Sequence, residues 1–507
     1  MHRQPDILFI QVDQMAAAPL PVYGGRVVLA PNLTQLAEQG TTFDGAYCNS
    51  PICAPSRFSM MAGRLPCSIG AYDNGAELPA STPTLAHMLA RAGYQTILAG
   101  KMHFIGPDQL HGFAERLITD IYPADFAWTP NWAAGPGDKP SGISMLNVLQ
   151  AGSCVRSLQM DYDDEVECLA VQRLYDLARE PQRKPFFLTV SFSHPHPPYT
   201  AGQIWWDRYR HDDIDAPAVS PIPVEQRDVH SQWLHVSHGA DVQPVNDAQI
   251  RNARHAYYAN ISYIDDKVGR LLRTLKECGM EDNTIVVFTS DHGEMLGERG
   301  MWYKQTFFEP SVRVPLIVRH PHMPAAQHVD TPVSLVDLLP TLMDWVDGGA
   351  DWPDPLDGLS WQPLLQGERP ERHVVSEYTD MGVIAPARMI RSRRYKFIHT
   401  HGYPAQLYDL LADPLERSNL CGNTRTTQIE DQLSRDAQAG WDGDVVLAHV
   451  LASQRRRLYL NGATRLTEPR TSWDFRATRD DSRRFVRAQG AAGAKALARF
   501  PFVVPPA

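Results

Sequence analysis

The sequence predicts an α/β fold: a large, mostly parallel sheet sandwiched by helices, then a smaller C-terminal α+β domain and a tail extension. Three observations predict it. Apolar, β-branched runs alternate with helical patterns through the first three quarters of the chain, as strands joined by helical crossovers do. A Pro- and Gly-rich stretch, 353–370, ends that alternation, and short strand-like runs follow it. The 507 residues, 43% hydrophobic and 21% charged, supply a core sufficient for one large and one small unit.

The first predicted strand is Ile7–Val12, entered directly from Met1–Asp6 without the charged region, long apolar run and small-residue cleavage site of an export signal. Helices follow at Leu33–Gln39 and Thr84–Ala92, then a strand at Tyr94–Ala99 and a helix at Asp164–Glu180. Strands at Phe186–Phe192, Thr284–Thr289 and Val314–Val318 and helices at Asp247–Cys278 and Leu335–Trp345 complete a catalytic unit over residues 1–370. Residues 371–447 form the small domain, with strands at Val374–Glu377, Arg394–His399 and Gln406–Leu410 and a helix at Thr427–Asp436. From 448 to 507 the text is Arg-rich and lacks a core pattern of its own, apart from Trp473-Asp474-Phe475. Such aromatic anchors need a surface to cover them, so this extension is expected to touch another subunit of a homo-oligomer.

Charge excludes some functions. Lys and Arg number 48 against 58 Asp and Glu, a formal net charge of −10, and the basic residues form no long run, so nucleic acid is not an expected partner. No apolar run approaches the ~20 residues needed to span a bilayer, so a soluble, cytoplasmic protein is expected. Seven scattered cysteines include no zinc-type pair and read mainly as reduced, buried thiols.

Chemistry collects after the strands. Asp13 follows the first, Lys101 and His103 the second, His194 and His196 the third, Asp291 and His292 the fourth. Each alone reads as a helix N-cap or a hydrogen-bonded loop histidine. Together they deliver polar groups to the carboxyl edge of a sheet, where open α/β folds bind ligands.

The sharpest motif is Cys53-Ala54-Pro55-Ser56-Arg57, followed by Phe58-Ser59-Met60-Met61-Ala62-Gly63-Arg64. It resembles the signature of the type I sulfatases of the alkaline phosphatase superfamily, whose cysteine is oxidised to formylglycine. Gly93 to His103, Pro195-His196-Pro197-Pro198 and Ser290-Asp291-His292-Gly293 resemble further signatures of that family in the same order. The resemblance implies that residue 53 becomes an aldehyde whose hydrate attacks sulfur, with S–O cleavage and expulsion of sulfate by the second hydroxyl. A sulfate ester spreads its charge over several oxygens, so this chemistry needs a strong nucleophile, fixed positive charge and help for the leaving oxygen.

Carried over residue by residue, the resemblance implies metal ligands at Asp13, Gln14, Cys53, Asp291 and His292. Calcium is the usual ion; His292 and Gln14, where many relatives carry Asn and Asp, leave manganese and magnesium open. Gln14 reads alternatively as a helix cap. Arg57, Lys101, His103, His196 and Lys304 form a positive cradle, with His103 as base and His196, or else His194, serving the leaving oxygen. A formylglycine-generating maturation enzyme is an implied partner.

Ala71-Tyr72-Asp73-Asn74, Gly100 to Gln109, Thr119 to Pro130 and the Trp473 cluster resemble the choline sulfatases in particular. That implies choline-O-sulfate or a related alkyl or aryl sulfate as substrate. Trp128, Trp132 and Tyr122 then offer aromatic faces to a quaternary ammonium, Asn74 touches the sulfate or its neighbour, and Glu377 is a candidate cation partner. The segment Gly142-Ile143-Ser144-Met145-Leu146-Asn147 departs from that pattern, where His and Trp residues are expected. Two other readings stand: a phosphonate monoester or phosphodiester hydrolase of the same superfamily, and a metal-binding scaffold in which Cys53 stays a thiol.

Overall fold

The strand Asp6–Asp13 is buried at every position, and its side chains divide between two cores. Ile7 and Phe9 join one apolar cluster, Leu8, Ile10 and Val12 the other. The period of two in a strand sends alternate residues to opposite faces, so a strand apolar throughout must be covered by helices on both sides. In the computed structural model, which describes residues 4–180, 182–346, 352–467 and 472–478, this strand lies within an eight-stranded sheet. Its order is Gln327–Val329, Thr41–Phe43, Leu316–Arg319, Thr284–Ser290, Asp6–Asp13, Phe186–Pro195, Gln95–Gly100, Glu115–Arg116. From Thr284–Ser290 to Glu115–Arg116 every neighbouring pair is parallel.

The structure corrects some details. The predicted strand Val314–Val318 breaks at Pro315, which has no N–H to give a ladder. Arg313–Val314 joins a small separate sheet, and Leu316–Arg319 runs antiparallel to Thr284–Ser290. The short strands Thr41–Phe43, Glu115–Arg116 and Gln327–Val329 have too few residues to show a period in the sequence.

The small domain is a four-stranded antiparallel sheet, Val374–Tyr378, Ala387–Arg391, Tyr395–Thr400 and Gln406–Asp409. The helix Thr427–Gln438 covers one face, burying Leu433 and Ala437 with Ile390, Phe397 and Leu407. Residues 448–464 depart from expectation: they belong to a helix, Gly443–Thr464, capped by the Asp442 side chain. Its buried stripe begins with Val446 and Val450 and turns polar at Gln454, Arg457 and Asn461, which hid it from a hydrophobic reading. Further on, Trp473 packs edge-on against Phe126 with centroids 5.1 Å apart, Asp474 accepts from the Ala124 N–H at 3.0 Å, and the Arg116 guanidinium lies over Phe475. This chain itself therefore supplies the surface assigned above to another subunit. The rest of the predicted extension, 468–471 and 479–507, lies outside the described residues. Among the described residues no helix is long and apolar enough to cross a membrane.

Candidate active site

The helix Cys53–Ala62 is buried at every residue and points its N-terminus at the carboxyl ends of the central strands. Its first turn therefore presents Cys53 to a place where backbone N–H groups already favour negative charge. Asp13, Cys53, Asp291 and His292 meet there, fully buried, with ligand atoms all within 4.8 Å of one another. Cys53 Sγ lies 3.7 Å from Asp13 Oδ1 and 3.2 Å from His292 Nε2. His292 Nε2 also faces Asp13 and Asp291 carboxylate oxygens at 3.6 Å each. Glycines make this convergence possible: a Cβ on Gly100 would sit 2.0 Å from the Ser191 carbonyl oxygen, and one on Gly293 2.0 Å from that of Pro310.

Fixed cations surround the cluster. Arg57 donates Nε–H to Asp291 at 2.7 Å and its NH1 group to the Lys101 carbonyl at 2.7 Å and the Ser191 hydroxyl at 2.8 Å. Lys101 pairs with Asp13. Lys304 donates to Gln14 Oε1 and lies 3.6 Å from Cys53 Sγ. Burial alone would raise the Asp13 carboxyl, but Lys101, His196, Lys304 and Arg57 together hold it well below the usual range.

The histidines are not part of the positive cradle. Burial, reinforced by Lys101 and Arg57, pushes His103 well below its ordinary value; burial and Lys304 lower His196. Burial likewise brings His292 to about 4, although Asp291 opposes it. Burial thus disfavours the charged form of each, and the fixed cations of the cradle are Arg57, Lys101 and Lys304. Neither ring nitrogen of the buried His103 has a protein partner, and a neutral ring with a free nitrogen is a base in waiting. Asp120 holds it in place, accepting from the backbone N–H groups of Met102 and His103 at 2.9 and 2.8 Å.

A cavity of about 240 Å³ opens from Cys53, lined by Asn74, Tyr122, Trp128, Ile143, His196 and Lys304 among others. Tyr122 and Trp128 pack at 4.7 Å between centroids, and Asn74 Oδ1 accepts the Ala54 N–H at 2.9 Å. Ser141, Gly142, Ile143 and Asn147 line it too, so the departure noted in the sequence lies in the wall itself.

Three candidates belong elsewhere. His194 is bound through Nδ1 to buried Asp163 at 2.6 Å and packs on Tyr263; it braces the loop that carries His196. Trp132 lies in the core with its indole N–H given to the Asp380 carbonyl at 2.9 Å. Glu377 faces Arg388 at 3.4 Å and accepts the Cys67 N–H, lining a separate cavity with Trp441.

Gln14 caps no helix. Its φ is +67°, and its side chain lies between Lys304 and Glu294. Glu294 was missed by sequence reasoning, although it stands three residues beyond Asp291: it accepts from Gln14 and from the Leu296 and Tyr303 N–H groups at 2.8 and 2.6 Å. Positive φ at Gln14, His103, Tyr303 and Gln305 marks backbone held in costly conformations around the site, and no residue pattern signals these.

The donor set suits a divalent cation. His292 Nδ1 lies 3.1 Å from the Gly293 carbonyl, so that ring nitrogen carries the proton and Nε2 turns a lone pair toward two carboxylates and Cys53, an arrangement that repels unless a cation lies between.

A buried cysteine, carboxylate and imidazole donors and three fixed cations at the carboxyl edge of a parallel sheet are the groups that a hydrolase of anionic esters uses. Known proteins agree. The Sulfatase family matches residues 5–348, and the C-terminal region of N-sulphoglucosamine sulphohydrolase matches 297–439. The choline-sulfatase of Rhizobium meliloti (strain 1021) is 44% identical over 493 residues, covering 96% of each chain. An arylsulfatase of Clostridium perfringens is 28% identical, covering 85% of this chain and 93% of its own. Among solved structures, a phosphonate monoester hydrolase from Silicibacter pomeroyi superposes with a TM-score of 0.69 at 24% identity, covering 85% of this chain and 94% of that one. The chain belongs to the sulfatase family and is a sulfuric ester hydrolase.

Proposed function

We propose that this sulfatase hydrolyses choline-O-sulfate or a closely related small alkyl or aryl sulfate, with residue 53 matured to formylglycine. One divalent cation, calcium first and manganese or magnesium as alternatives, would be held by Asp13, Gln14, residue 53, Asp291 and His292. The observation that carries the substrate reading is a cavity of about 240 Å³ whose wall combines Cys53 and Lys304 with the rings of Tyr122 and Trp128. Pockets for drug-sized ligands begin near 300 Å³, so the space suits a small ester. A quaternary ammonium over such ring faces gains about 0.5–2 kcal/mol.

The aldehyde hydrate and the cation would supply an activated oxygen nucleophile. The chain's own residues do the rest. Lys101 and Lys304 neutralise the sulfate oxygens, and Arg57 fixes Asp291 and the Lys101 carbonyl. His103, neutral and unpartnered at both ring nitrogens, receives the proton of the second hydroxyl. His196 lines the cavity beside Tyr122, whose hydroxyl lies 3.2 Å from Nδ1, and serves the leaving oxygen.

The proposal includes maturation by a formylglycine-generating enzyme, a cytoplasmic setting and association of copies through the extension, where the helix Gly443–Thr464 exposes Leu451, Tyr459 and Leu460. Solution mass of the full chain and of a form ending at 460 checks the last. Initial rates with choline-O-sulfate, 4-nitrophenyl sulfate and an aryl phosphonate check the substrate: the choline ester is expected to be fastest, and Trp128→Ala to raise its KM more than that of the aryl ester. Faster phosphonate cleavage would overturn the reading. Intact mass decides against the scaffold alternative when the peptide holding residue 53 carries an aldehyde in place of CH2SH.

A further inference from the structure

The two family matches end at residue 439, and the helix Gly443–Thr464 begins after them. Its polar stripe nevertheless reaches the back of the reactive cavity. Arg457, buried with a side chain 7% exposed, meets fully buried Asp73 through two parallel bonds of 2.6 Å each and donates to the Thr129 hydroxyl at 3.0 Å. One turn earlier, Gln454 accepts the Trp132 backbone N–H at 3.0 Å. The helix therefore grips two segments, 73–75 and 129–132.

Each segment adjoins a cavity residue. Asp73 is followed by Asn74, whose N–H is given to Asp380 at 2.9 Å and whose Oδ1 accepts the Ala54 N–H at 2.9 Å, next to the nucleophile. Thr129 follows Trp128 directly. The segments also touch: a Cβ on Gly75 would come within 2.6 Å of the Thr129 nitrogen. A planar guanidinium meeting a carboxylate through two bonds fixes direction as well as distance, which a point charge does not. Loss of Arg457 would leave the buried Asp73 beside Asp380 without its guanidinium partner, with the Gly75 N–H at 2.9 Å still donating to it, which favours a shift of the segment toward water.

We propose that Arg457 is a positioning residue for the substrate: by clamping Asp73 and Thr129 it sets the distance between Asn74 and Trp128 in the wall of the cavity. It does not touch the reacting atoms. The proposal rests on the sulfatase reading of the cavity, and it makes the C-terminal helix part of the working site.

The test is a double-mutant cycle in the full-length, matured enzyme. Arg457→Met, Arg457→Lys, Asn74→Ala and the double variant Arg457→Met/Asn74→Ala are compared for kcat and KM on choline-O-sulfate and 4-nitrophenyl sulfate, with rates normalised to formylglycine content. Arg457→Met is expected to lower kcat/KM by about 10- to 100-fold, the usual cost of removing a group that orients a site residue. Arg457→Lys should recover only part, because lysine cannot make the paired bonds. The loss should be much smaller once Asn74 is already alanine, since the two changes damage one arrangement. Asp73→Asn/Arg457→Met, which removes both buried charges, supplies a folded background should the single variant unfold, and it should show the same loss. Losses that multiply independently in the cycle, full recovery by lysine, or an unchanged kcat/KM per mole of formylglycine in the charge-free pair would each overturn the proposal. A wild type that prefers the aryl ester overturns the choline reading instead, and leaves the cycle's outcome readable on that ester.

Discussion

Arg57→Lys is the sharpest test of how the site is built, because it keeps the charge and removes only the geometry. The guanidinium serves four separate acceptors, the Asp291 carboxylate, the Lys101 carbonyl, the Ser191 hydroxyl and the Gln11 amide oxygen, from two nitrogens at once. A single ammonium nitrogen cannot occupy both places. At least one buried acceptor then loses its donor, at about 1–3 kcal/mol, and the Lys101 backbone loses the bond that fixes its side chain against Asp13. We expect lower thermal stability and kcat/KM reduced by about 10- to 100-fold with full formylglycine content. Arg57→Met, which leaves Asp291 buried without its partner, should cost more, about 3–5 kcal/mol, and a saturating divalent cation should restore part of that by replacing the lost positive charge. Differential scanning calorimetry with and without the ion, together with steady-state kinetics, reads both effects. Wild-type stability and turnover in Arg57→Lys would refute the reasoning.

Further outcomes follow from the same geometry. Cys53→Ala should reduce sulfate-ester turnover to background while circular dichroism and the melting point stay near wild type, since the side chain carries chemistry and packs little. Dialysis against a chelator should abolish activity, and titration with calcium, manganese and magnesium should restore it in an order set by the imidazole at His292; activity independent of all three would refute the donor assignment. Burial and the neighbouring Lys101 hold His103 well below its ordinary value, so the acid limb of kcat/KM should lie well below pH 6.5, and a base with a limb above pH 7 would not be this residue. Burial would raise Glu309, but Lys396 and nearby arginines bring it down to about 2. A depressed carboxylate stabilises the fold above its unfolded value near 4.5 and loses that contribution as pH falls through the folded value, so Glu309→Gln should be less stable than wild type at pH 7, with the gap closing toward pH 2 in acid-unfolding curves.

Much of the site was legible because its ligands stand directly after apolar strands. Asp13, Lys101, His103, Asp291 and His292 stand at or just after the ends of apolar strands, and parallel strands align those ends at one edge. His194 misled because a histidine two residues from His196 lies on the same turn, and only the buried Asp163 shows that its ring faces away from the cavity. Glu377 misled because its charge pairs with Arg388, a neighbour brought across the strand pair Val374–Tyr378 and Ala387–Arg391. The helix Gly443–Thr464 shows no apolar period because it buries Gln454, Arg457 and Asn461, and the first two find partners more than 300 residues away in sequence.

By itself, then, the order of residues determined the α/β class, the central strands, and the choice of Cys53 and most of the groups that surround it as candidates, since period and motif are local properties of a chain. Only tertiary structure decided the burial of the histidines, the small volume and ring-bearing wall of the cavity, the contacts of Glu294 and Asp120, and the reach of Arg457 to Asp73. Burial and charge proximity are set by which segments meet in space, and no spacing along the backbone encodes that distance.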